Sequence, residues 1–135
     1  MGTWGIGSFE NDDAADFMID ALKSGDLSLL GEVFDNVLTS TEYVEAPDAT
    51  VAIVAAEIVA AAQGRPTPAA QREDGLAEWL ASIRPTIDAA LATQARDALA
   101  RILAEHSELR ELWEDTDDFH EWQASVIELG QHLRA

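Results

Sequence analysis

Chemistry in this chain starts from Glu57, the one charged residue in TVAIVAAEIVAAAQ at 50–63. A carboxylate in such a stretch is costly to bury unless it is hydrogen-bonded, and desolvation raises its pKa. It could then serve as a general acid or base, or as one ligand of a metal. The structural alternative is that it accepts bonds from donors otherwise left orphaned, namely backbone N–H groups of Gly2–Gly7 or the Trp4 indole. Such a charge-assisted bond contributes roughly 1.5–3 kcal/mol. On that reading, Glu57→Gln lowers the melting temperature and releases Trp4 to solvent.

The other acids form two groups. Asp12, Asp16 and Asp20 recur at four-residue steps, and the segment from Glu105 to Glu121 holds eight acids with only Arg110 beside them. Neither group has the alternating ligands and central glycine of a calcium loop. The paired Glu and Glu-x-x-His set of helical di-iron sites is absent as well. His106, His120 and His132 form no H-x-x-x-H pair, and no serine stands in a nucleophile elbow. His120 lies beside Asp117, Asp118 and Glu121. The expectation is no metal and no cofactor.

The opening MGTWGIGSFENDD has the spacing G-x-x-G-x-G, which is neither the dinucleotide fingerprint nor the phosphate loop. No lysine follows to reach a phosphate, and Glu10, Asp12 and Asp13 would repel one. Glycine permits close backbone approach, and Trp4, Ile6 and Phe9 are apolar anchors. The expectation for 1–10 is a coil pinned across a helical core.

Twenty-six acids against eight bases give a formal charge of -18. Phosphate backbones and anionic membranes are disfavoured, since affinity for both comes mainly from Lys and Arg. No cysteine is present, so disulfides, zinc ribbons and thiol chemistry are excluded. No apolar run reaches the length of about 18 residues that spans a bilayer. Secretory and myristoylation patterns are missing too, so the expected location is cytoplasmic.

Helical periodicity dominates, and no period-two alternation stands out. Asn11 or Asp12 can cap a first helix with the stripe Ala14, Phe17, Met18, Ala21 and Leu22, ending at Ser24-Gly25. Asp26 can cap a second, through Leu30, Phe34, Val37 and Leu38. The third, from about Pro47 to Gln63, is apolar nearly all round and belongs inside. Residues 64–75 read as a surface connection. A short helix from Leu76 to Ile83 and a longer one at about 86–105 follow. Ser107 can cap a turn or two through Trp113, and Asp118 with Glu121 resembles a capping box for the last helix. Trp79, Trp113 and Trp122 fall on apolar stripes. The fold expected is all-α, a single helical domain over 1–135 with five to seven helices.

The run G-T-W-G-I-G-S-F-E-N-D-D-A-A-D-F at 2–17 resembles the opening of an uncharacterised bacterial family, domain of unknown function 4259. The stretches A-A-E-I-V-A-A at 55–61 and S-E-L-R-E-L-W-E at 107–114 are also similar to it. Phe17 stands where tryptophan is expected in many relatives, a departure that bears on packing. The resemblance implies a small stand-alone protein and transfers no catalytic residues. It implies that Trp4, Phe9, Asn11, Asp12 and Glu57 belong to one structural unit, and the candidate binding or structural cluster is these five with Asp13.

The function expected is a non-catalytic acidic module that binds a basic protein, as an inhibitor or immunity-type partner of a cationic toxin would. The alternative is a metal-dependent or acid–base enzyme using Glu57 with Asp12, Asp13 and His120.

Overall fold

An α-helix apolar on every side can only be stable when its neighbours cover it on every side. That is the place of α3, Ala46–Ala62, in the computed structural model, which describes residues 7–24, 26–40 and 42–133. Residues 52–60 are buried without interruption. Ala52, Ala55, Ala56 and Ala60 are fully buried, and their small side chains let other helices approach closely.

Those others are α1 (Asp12–Lys23), α2 (Ser28–Leu38), α4 (Pro68–Gln71), α5 (Leu76–Ile83), α6 (Ala89–Leu103), α7 (Glu108–Glu114) and α8 (Phe119–His132). Each of the seven packs against α3. The described residues thus form an all-α domain of eight helices with no strand. The count exceeds the expected range because 64–75, read from sequence as a surface connection, contains the single turn α4 and turns Thr67 and Ala70 inward.

Local signals account for most helix starts. Asn11 Oδ1 accepts from the Ala14 N–H at 2.8 Å, and Asp88 Oδ1 from Leu91 at 2.7 Å, each capping its helix. Ser107 caps α7 through the Arg110 N–H. Two expected caps differ. Asp26 accepts from the Ser28 N–H and hydroxyl, but it precedes α2 by one residue more than a cap, and Leu27 holds the cap position. Asp118 caps α8 by position without a side-chain bond, so the expected box does not form.

The segment before α3 is held by main-chain pairing. The Val44 N–H donates to His106 O and the Glu108 N–H to Val44 O, both at 2.9 Å. Val44 itself is fully buried. Trp113 and Trp122 stack with ring centroids 6.4 Å apart, and the Trp79 indole donates to Ser24 O at 3.1 Å. None of the described helices is long and apolar enough to cross a membrane.

Candidate binding site at Glu57

Glu57 faces inward from the last turns of α3 and is 2% exposed. The end of that helix builds its surroundings. Gly64, at φ 80°, takes the left-handed conformation that reverses the chain. The Gly64 N–H then donates to Ala61 O and the Arg65 N–H to Ala60 O, a Schellman closure. The reversal returns Thr67 to Glu57, where its hydroxyl donates to Oε1 at 2.6 Å. The same hydroxyl oxygen accepts from the Ala70 N–H at 3.2 Å and so caps α4. Pro68 at the first helical position sets the entry angle. A threonine directly before a proline is a readable helix-start signal, and it points to Thr67.

Burial pushes the Glu57 carboxyl above the usual glutamate range, while hydrogen bonds from Ser8 and Thr67 and the charge of His132 oppose the rise. Glu128 on α8 adds to it. Next to Glu57 lies a cavity of about 190 Å³ bordered by Ser8, Thr67, Pro68, Ser125, Glu128 and Leu129 among others. Ser125 and Glu128 sit three residues apart on α8, and nothing in their local sequence says which helix they will meet. His132 bonds through Nδ1 to Arg65 O at 2.9 Å, which ties the end of α8 to the loop after α3.

A second, much smaller cavity of about 20 Å³ shares Ser8 and Ser125 with the first and is lined by Thr50. The Thr50 hydroxyl is buried with no hydrogen-bond partner. Its volume is enough for about one water molecule.

The sequence-derived candidates scatter around this centre. The readings placed on Gly2, Trp4, Gly5 and Ile6 lie outside the described residues. The Gly7 N–H, one of the donors expected at Glu57, is bonded instead to Glu10 Oε2 at 2.7 Å. Phe9 is half-buried against the core, and Asn11 caps α1. Asp12 and Asp13 are exposed in the first turn of α1. His120 is exposed at the start of α8, with its ring 5.6 Å from that of Phe119. The groups whose charge reaches Glu57 are His132 and Glu128. Among the described residues no three His, Cys, Asp or Glu side chains are placed to hold a metal ion.

Over residues 2–125 the chain matches the family described as Domain of unknown function (DUF4259). The chain belongs to that family. No curated protein and no solved structure matches it. For this DUF4259 domain, the geometry around Glu57 and the distribution of charge are therefore what a functional reading has to stand on.

The surface offers one more organised acidic site. The Tyr43 hydroxyl, on an exposed ring, donates to Glu111 Oε1 at 2.7 Å. That bond, with Glu108 and Glu45 close by, pushes the phenol up to about 12. Glu108 also accepts from the Ala46 N–H at 2.7 Å and so holds the start of α3.

Proposed function

We propose that this domain is a non-catalytic interaction module that binds a basic protein partner. The observation that carries the reading is how little of its acidity is compensated internally. Among the described residues one ion pair forms, Arg110 with Glu114 at 3.4 Å. Two arginines spend guanidinium donors on main-chain oxygens. Arg101 donates to Glu105 O, Ser40 O and His106 O, and Arg110 donates to Leu103 O. Carboxylates spread over α1, α7 and α8 remain exposed to solvent. A surface of this kind attracts a cationic partner over distance and speeds encounter.

Titration with poly-L-arginine at low and high salt tests the reading. Tight binding at low salt is expected, weakening steeply as salt shortens the Debye length to about 10 Å at 0.1 M. Affinity that is absent at low salt, or insensitive to salt, contradicts it.

A further inference from the structure

The cavity beside Glu57 has an unusual polarity. Two of its hydroxyl groups have already committed their hydrogens, Thr67 to Glu57 at 2.6 Å and Ser125 to Trp122 O at 2.7 Å, and Ser8 lies close enough to Glu57 to oppose the rise of its pKa. The Gly7 N–H at its edge is taken by Glu10. What the side chains still offer is acceptor capacity: unused lone pairs on the Glu57 carboxylate, the carboxylate of Glu128, and the hydroxyl oxygens. A carboxylate has about four acceptor sites, and a hydroxyl keeps lone pairs after donating. Phosphates and carboxylates bring acceptors and negative charge, so they are excluded. A neutral amide or alcohol can donate as well, but it also brings an acceptor oxygen that those side chains do not match and no charge to pair with the carboxylates.

The chemistry that matches is a group with donors only. Guanidinium offers five N–H donors and ammonium three, neither with an acceptor. The shape agrees. Of the lining residues Glu57 is buried and Glu128 exposed, and Pro68 and Leu129 add apolar surface for an aliphatic stem. Long cationic side chains lay their methylenes on such surfaces.

We propose that the Glu57 cavity is a binding site for an organic cation, the guanidinium or ammonium head of a basic side chain. As a site for the partner's side chain it rests on the interaction reading above, whereas the cavity's preference for a small cation does not. The groups facing Glu57 are the Ser8 and Thr67 hydroxyls, Glu128 and His132. Binding therefore strengthens as pH rises, because burial holds the Glu57 carboxyl above the usual glutamate range and the carboxylate forms as pH climbs.

The full chain is titrated with ethylguanidinium chloride at constant ionic strength, following the amide resonances of Thr67, Glu128 and Leu129. Ethylurea, of similar shape without charge, is the control. Saturable shifts are expected with ethylguanidinium and none with ethylurea. Affinity should fall about tenfold in Glu128→Gln, an exposed rim position, and at least as far in Glu57→Gln. Equal binding of ethylurea, shifts that never saturate, or wild-type affinity in Glu128→Gln overturns the proposal. Poly-L-arginine separates the two readings. If it binds wild type and Glu57→Gln alike while ethylguanidinium does not bind, the cavity proposal falls and the acidic surface stands. If ethylguanidinium saturates the cavity but poly-L-arginine does not bind at low salt, the cavity stands and the basic-protein reading falls.

Discussion

Thr67 shows how one hydroxyl can join two levels of structure. It donates to Glu57 and accepts from Ala70, so it satisfies a buried carboxyl and caps a helix turn together. Thr67→Val keeps the shape and removes both bonds. The expected loss is about 2–4 kcal/mol by urea denaturation, from an orphaned carboxyl and a missing cap. Thr67→Ser should recover most of it; equal stability of the valine variant would contradict the double role. Tyr43 gives a second residue-level test, since the chain has a single tyrosine. Its phenolate should appear at a pH near 12, by ultraviolet absorbance. Glu111→Gln should move the titration down toward the ordinary tyrosine value. Sequence alone singles out Glu57, because a lone acid in an apolar helix is visible as an anomaly. It does not single out Ser8, Ser125 or Glu128, whose place depends on which faces of distant elements meet.

At the scale of elements, α3 is the most readable part of the chain. Its composition excludes a surface position, and its seven neighbours cover it. Asn11 and Ser107 are also legible as caps, because each stands just before an apolar-periodic run. The region after α3 is harder to read. Gly64, Pro66 and Pro68 do mark a break, but the same residues that break α3 also close it in a Schellman turn and start α4. Composition suggests exposure there, whereas the turn folds Thr67 and Ala70 inward. Gly64→Ala tests this coupling. No atom lies within 4 Å of where a Cβ would stand, so the cost is backbone strain and not a clash. A left-handed alanine costs about 1–2 kcal/mol. The melting temperature should fall, and the amide resonances of Thr67 and Ala70 should shift with it. A drop in stability with those resonances unmoved would show that the turn does not position the site.

For the molecule as a whole, the acidic surface and the buried carboxyl are one electrostatic system. A chain at -18 raises the cost of every additional negative charge, and Glu57 bears that cost with the least help from water. The sign of its contribution follows from its raised pKa. The folded state holds the proton more tightly than the unfolded state, so Glu57 favours folding most below the ordinary glutamate value. That contribution is lost as pH rises through the folded-state value, where a cationic ligand would restore it. Glu57→Gln should therefore flatten the decline of stability with rising pH. The most direct measurement is the Glu57 side-chain carboxyl shift by carbon NMR across pH, with and without ethylguanidinium. In the free protein this carboxyl should titrate above the ordinary glutamate range, moving down as the cation binds. A carboxyl that titrates like an exposed glutamate and ignores the cation would contradict that expectation.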